Sequence, residues 1–242
     1  VLMNSGQTTL NTGAGADTVN VQSIGAATTV NAGSGNDGIN VGSLSPNVGG
    51  TVNAIAAQLT VAGDADDDTI NVDDTGDALP NTGTLSSAEL TGLGMSDGIR
   101  YVVEHLNIAL GTGADTFTIA STHLGQSKLD AGGGNDTVHV LSTAGATEVN
   151  GNAGADDINV QTIGAPTTVN GGSGNDAITV GSLAPATGGT VNQIRAPLTV
   201  NGNEGDEDFL TVDDTGDTVA ETSVLTATTL TGLGMSHGIT YG

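Results

Sequence analysis

Aliphatic residues recur along this chain with a two-residue period, in short bursts separated by glycine-rich turns. Val19/Val21, Ile39/Val41, Ile70/Val72, Phe117/Ile119, Val138/Val140, Ile158/Val160, Ile178/Val180 and Leu210/Val212 each bracket one Asn, Thr or His. Such alternation marks a β-strand with one buried face, and Val, Ile and Thr suit a pleated surface. No segment shows a 3.6-residue apolar period, so helices are not expected.

Two residues before each pair stands an aspartate: Asp17, Asp37, Asp68, Asp115, Asp136, Asp156, Asp176 and Asp208. Seven residues before the first seven of these stands another aliphatic (Leu10, Val30, Val61, Ile108, Leu129, Val149, Val169), and Val200 lies eight before Asp208. The basic step is 20 residues, with longer steps at fixed places. A strand–turn–strand–turn unit of that size cannot bury its own apolar side chains and must stack on copies of itself. The pattern therefore predicts an all-β chain, a parallel β-solenoid of stacked coils of about 20 residues. It places the eight aspartates on one edge and Val19, Ile39, Ile70, Phe117, Val138, Ile158, Ile178 and Leu210 in a single inward stack. Loops or extra coils are expected through 43–54 and 78–107. A hairpin-built β-sandwich is the competing architecture, but it has no need of the same turn chemistry eight times.

A longer repeat lies above the short one. VNVQSIG at 19–25 returns as INVQTIG at 158–164, VDDTGD at 72–77 returns at 212–217, and LTGLGMSDGI at 90–99 returns as LTGLGMSHGI at 230–239. The offset is 139 to 140, giving one unit at about 8–147 and most of a second at 148–242. The second copy stops part-way, which predicts one continuous segment of a longer array, with further copies of the same repeat as its neighbours.

Charge narrows the partners. The chain carries 27 acidic and 3 basic side chains, a formal net charge of −24. It repels nucleic acids and anionic membranes, and no apolar run is long enough for a membrane helix. Without cysteine there are no disulfides and no thiolate metal sites. Stacking would set the motif aspartates about 5 Å apart, where like charges repel by about 1 kcal/mol per pair even in water. Three Lys/Arg cannot neutralise such a row.

The turns read TGAGADTV (12–19), AGSGNDGI (32–39), LGTGADTF (110–117), AGGGNDTV (131–138), GNAGADDI (151–158) and GGSGNDAI (171–178). Carboxylates beside carbonyl-exposing glycine turns (Gly13, Gly15, Gly33, Gly35, Gly111, Gly113, Gly132, Gly134, Gly172, Gly174) suit calcium, which takes six to eight oxygens. Magnesium demands tighter octahedral geometry, and scattered histidines without cysteine argue against zinc. Asp64 and Asp66 replace both turn glycines ahead of Asp68, and Asp206 stands ahead of Asp208, so richer sites are expected there. The VDDTGD segments permit a second cation and are equally ordinary turn chemistry. Asn11, Asn31, Asn150 and Asn170 are expected to stack as an amide ladder, His105, His123, His139 and His237 to lie on the surface, and Arg100 and Arg195 to pair locally.

Gly171 to Thr179 fits the calcium nonapeptide G-G-x-G-x-D-x-U-x at every position, and the other turns lose mainly the first Gly. This resembles the repeats-in-toxin (RTX) calcium-binding β-rolls, over most of the chain. Family rolls usually carry the motif on both turns of a coil, whereas the opposite turns here read SIGA, TIGA or SLSP. The resemblance therefore implies calcium along one edge only, as in adhesin-associated one-sided rolls. It also implies a calcium-binding structural module of a large secreted or cell-surface bacterial protein, exported by type I machinery and folding on external calcium. An adhesive, matrix, surface-layer or filament role would follow, with lateral self-assembly or a glycan or other surface ligand as partner. Two other readings stand beside it. A β-helix polysaccharide-active enzyme needs a Lys or Arg base, or carboxylates placed in a cleft; with one Lys, two Arg and carboxylates that only repeat, no catalytic residue is expected. An ice-binding face needs a regular threonine array, and the x of G-x-G varies here (Ala14, Ser34, Thr112, Gly133, Ala153, Ser173).

Overall fold

The computed structural model describes residues 4–204 and 207–242. Among these it has 22 strands and no helix. The first six strands are β1 (Thr8–Ala14), β2 (Thr18–Val21), β3 (Thr28–Ser34), β4 (Gly38–Val41), β5 (Leu59–Ala65) and β6 (Thr69–Asp73). Three short ones follow: β7 (Thr82–Leu85), β8 (Glu89–Gly92) and β9 (Ile99–Val102). Then come β10 (His105–Ala109), β11 (Thr116–Ile119), β12 (Gln126–Asp130), β13 (Thr137–Val140) and β14 (Thr147–Ala153). The series continues with β15 (Asp157–Val160), β16 (Thr167–Ser173), β17 (Ala177–Val180), β18 (Leu198–Glu204) and β19 (Phe209–Val212). The last three, β20 (Ser223–Leu225), β21 (Thr229–Gly232) and β22 (Ile239–Tyr241), are the second-unit counterparts of β7 to β9.

The strands form two sheets of 11. The first runs β1-β3-β5-β9-β8-β7-β11-β13-β15-β17-β19 and the second β2-β4-β6-β10-β12-β14-β16-β18-β22-β21-β20. Pairing is parallel except inside the β7–β8–β9 and β20–β21–β22 meanders, which are antiparallel. Outside the meanders the chain changes sheet at every turn.

Aliphatic residues meet in register. Val21, Val41, Val72, Ile108, Leu129, Val149, Val169 and Val200 form one ladder across the second sheet, none more than 3% exposed. Each such side chain contributes about 1.5–3 kcal/mol by leaving water. The ladder joins residues that follow a motif Asp in the first three copies to residues that precede one in the later copies.

That junction corrects the expectation of one edge. The strands ahead of Asp17, Asp37 and Asp68 (β1, β3, β5) lie in the first sheet, and those ahead of Asp115, Asp136, Asp156, Asp176 and Asp208 (β10, β12, β14, β16, β18) in the second. Parallel strands of one sheet all end on the same side, so the two groups of turns occupy opposite edges. The cause lies between Asp68 and Asp115: β5 and β10 are separated by three crossings, from β5 to β6, β6 to β7 and β9 to β10. The 140-residue unit likewise contains an odd number of crossings, and β14 sits in the opposite sheet from its counterpart β1.

The single inward stack divides in the same way. Val19, Ile39 and Ile70 align in the second sheet, and Phe117, Val138, Ile158, Ile178 and Leu210 in the first. All are buried except Leu210, which is partly so. Gly83 lies opposite Phe117, and a Cβ there would come within 2.5 Å of the ring. The missing side chain makes room for the one aromatic member of the stack.

Candidate metal-binding rows

Each glycine turn lies directly on the turn of the previous layer. At Gly33 φ is 104° and at Gly35 113°, a region that side chains other than glycine's adopt at a cost. A Cβ on Gly33 would overlap the Gly13 carbonyl oxygen, and one on Gly35 would come 2.6 Å from that of Gly15. Gly13, Gly15, Gly132, Gly134, Gly172 and Gly174 share the left-handed conformation. Gly111 and Gly113 do not, but a Cβ on either would overlap the carbonyl oxygen of Asp77 or Leu79 below.

The stacking aims the carboxylates. Oδ1 of each motif Asp after Asp17 accepts the backbone N–H of the equivalent residue one layer earlier. Along one edge Asp17 N–H donates to Asp37 (2.7 Å), Asp37 N–H to Asp68 (2.9 Å) and Asp68 N–H to Glu104 Oε2 (3.0 Å). Along the other, Asn81 N–H donates to Asp115 (2.7 Å) and Asp115 N–H to Asp136 (2.7 Å). The same bond then links Asp136 to Asp156 (2.8 Å), Asp156 to Asp176 (2.9 Å) and Asp176 to Asp208 (2.9 Å).

The second carboxylate oxygen is left over. Oδ2 of Asp17, Asp37, Asp68, Asp136, Asp156 and Asp176 is buried without a hydrogen-bond partner, and the last five of these residues are 0–3% exposed. Burial raises the Asp136 carboxyl to about 7 and that of Asp156 to about 6. It also pushes Asp68, Asp115 and Asp176 above the ordinary carboxylate range, against the opposing pull of the backbone N–H. Unpaired buried carboxylates of this kind are costly unless a cation or a proton neutralises them.

Glu104 and Asn81 were missed from sequence because neither follows a glycine loop. A signal existed: Glu104 stands two residues before the alternating pair Leu106/Ile108, as each motif Asp does before its own pair. Asp64 and Asp66 occupy the turn-glycine positions at φ 77° and 80°, with exposed side chains. Asp66 Oδ2 accepts Gly35 N–H at 3.0 Å, so these two do not join the buried oxygens. Asp206 lies outside the described residues.

The VDDTGD segments hold down the preceding loop. Asp73 Oδ2 accepts Gly50 N–H (2.8 Å), Thr75 Oγ1 accepts Gly49 N–H (2.9 Å), and Asp74 Oδ1 accepts Val52 N–H (2.9 Å). Asp213 and Asp214 hold Gly189 and Val191 in the same way. Asp74 is 1% exposed, and burial raises its carboxyl to about 7. In the second unit carboxylate oxygens of Asp214, Asp217 and Glu221 lie within 4.8 Å of one another, close enough to share a metal ion. In the first unit Asn81 stands where the second has Glu221.

The amide ladders form. Asn31 donates to Asn11 (2.7 Å) in the first sheet, and Asn170 to Asn150 (2.6 Å) and Asn201 to Asn170 (2.7 Å) in the second. A further ladder, Asn107 to Asn71 to Asn40 to Asn20, was not foreseen. His105 pairs with Asp67 (3.1 Å) and Arg100 with Glu89 (3.2 Å). Among the described residues, then, the chemistry on offer is oxygen: carboxylates in two stacked rows and one three-carboxylate cluster. No family model matches this chain, and no curated protein matches it.

Proposed function

We propose that this chain is a calcium-binding structural repeat module of a large secreted or cell-surface protein, folded as a parallel β-solenoid. The observation that carries the reading is the recurring buried Oδ2 without a partner on successive motif aspartates. No protein cation hydrogen-bonds to these oxygens; Lys128 is engaged by Asp130 and Glu148, and Arg100 by Glu89. Calcium accepts carboxylates mixed with backbone carbonyls in irregular geometry, which is the donor set a stacked Gly-Asp turn supplies. Cations held by the folded state alone add about 2.7 kcal/mol per site at a hundredfold excess over Kd. Several sites together would rival the roughly 5–15 kcal/mol of a typical domain. Such a module is loosened where calcium is scarce and becomes rigid outside the cell, which suits the secreted location that the RTX resemblance implies.

Circular dichroism in chelator and in millimolar calcium tests the reading. The expected result is a β spectrum that melts at a markedly lower temperature in chelator than in calcium, and poor replacement by magnesium. An identical spectrum and melting temperature in both conditions would overturn it.

A further inference from the structure

We propose that Glu104, which belongs to no glycine turn, is a ligand of a divalent-cation site that it shares with Asp68 at the end of the first row. The proposal rests on the calcium reading and extends it to a residue outside every motif. In register, His105 lies opposite Thr69 and Leu106 opposite Ile70, so Glu104 falls opposite Asp68. Its Oε2 takes the Asp68 N–H at 3.0 Å, the bond that Asp68 itself makes to Asp37 N–H at 2.9 Å.

The side chain is longer for a reason. Between the paired positions Ala62 and Thr69 lie six residues, but between their partners Val102 and His105 lie only two, Val103 and Glu104. The loop is cut out, and the extra methylene of Glu lets a carboxylate reach the row across the shortcut. The backbone is fixed as well: the Glu104 carbonyl accepts Gln126 N–H (2.7 Å) and lies 3.1 Å from His123 Nε2.

An independent observation points to a ligand. Asp68 is 1% exposed, and its Oδ2 is buried with no partner. The charges that bear on it are Asp37, Glu104 and Asp66, all negative. The nearby His105 is turned to Asp67. A divalent cation between the Asp68 and Glu104 carboxylates satisfies the orphaned oxygen and balances the excess charge.

Calcium titration calorimetry on the whole chain, after chelator treatment, compares wild type with Glu104→Gln and, as a control in the other row, Asp156→Asn. Gln keeps an oxygen for the Asp68 N–H and removes only the charge. The expected result is one calcium fewer per chain in Glu104→Gln, with the remaining sites unchanged. Wild-type stoichiometry and affinities in a folded Glu104→Gln would overturn the proposal while the Asp156→Asn loss leaves the calcium reading standing. A wild-type chain that binds no calcium would remove both. If Glu104→Gln does not fold, a crystal structure of the wild type grown in calcium decides: an ion in contact with both carboxylates supports the site, and ions elsewhere in the rows but none here overturn it.

Discussion

The backbone N–H of Asp136 is bonded to Oδ1 of Asp156 at 2.8 Å, while Oδ2 of both carboxylates is buried with no partner. One oxygen thus locks a layer to the next, and the other remains for something the chain does not provide. Replacing Asp156 with Asn keeps an oxygen for the lock and removes the charge. We expect a metal-free chain about 1–3 kcal/mol more stable near neutral pH, because an unpaired buried charge is gone. The stability added by calcium should shrink by about 2.7 kcal/mol per lost site at a hundredfold excess over Kd. Urea unfolding with and without calcium measures both, and an unchanged calcium increment would remove Asp156 from the ligands.

Acid should stabilise the metal-free chain. The carboxyls of Asp74, Asp136 and Asp156 are raised from 3.8 to between about 6 and 7, so the folded state holds more protons than the unfolded one in that window. Stability then falls as pH rises from about 4 to 7. Asp77 and Asp217, held below the usual range by the N–H of Leu79 and Val219, act oppositely and only below that window. Melting temperatures in chelator from pH 4 to 8 check the sign, and a curve rising towards neutrality would contradict it.

Gly13 and Gly33 separate backbone strain from stacking. Their φ angles are 105° and 104°, yet a Cβ on Gly13 meets nothing within 4 Å, whereas one on Gly33 strikes the Gly13 carbonyl. Gly13→Ala should cost about 1–3 kcal/mol, the strain of an unfavourable φ alone. Gly33→Ala should cost clearly more, because backbone must move. Equal destabilisation of the two in calcium would mean that the layers are not in contact.

Asp73 ties down the loop ahead of it through Gly50 N–H and takes the Thr75 hydroxyl at 2.6 Å. In Asp73→Ala, amide exchange at Gly49 and Gly50 should speed up at least tenfold, the loss of about 1.4 kcal/mol of local protection. Exchange in β10 and β12 should stay unchanged. Uniform acceleration across the chain would point to a global loss instead.

The strands and the turn contacts were legible because each is local: alternation fixes which face is buried, and Gly-x-Gly-x-Asp fixes how one turn meets the next. The division into two rows was not. It depends on the chain crossing between the sheets an odd number of times from β5 to β10, and a segment such as IRYV alternates like any other strand. Nothing near Asp68 or Asp115 records on which side of the molecule it lies. Glu104 was hidden for the same reason, since its role is defined by a partner 36 residues away that only the fold brings beside it.

Each meander inserts two strands beyond the regular count, about 10 Å of width, into one sheet and none into the facing one. Such a wedge should tilt the layers above it. In the first unit the wedge is β7–β9 in the first sheet, and in the second unit it is β20–β22 in the other, so both sheets finish with 11 strands. Like bevelled washers threaded with their thick sides alternating, successive units should cancel each other's lean. A repeat with an even number of crossings would put every wedge on the same side and curl into an arc. The odd crossing that splits the aspartates between two edges would therefore also let a run of such units keep a straight axis.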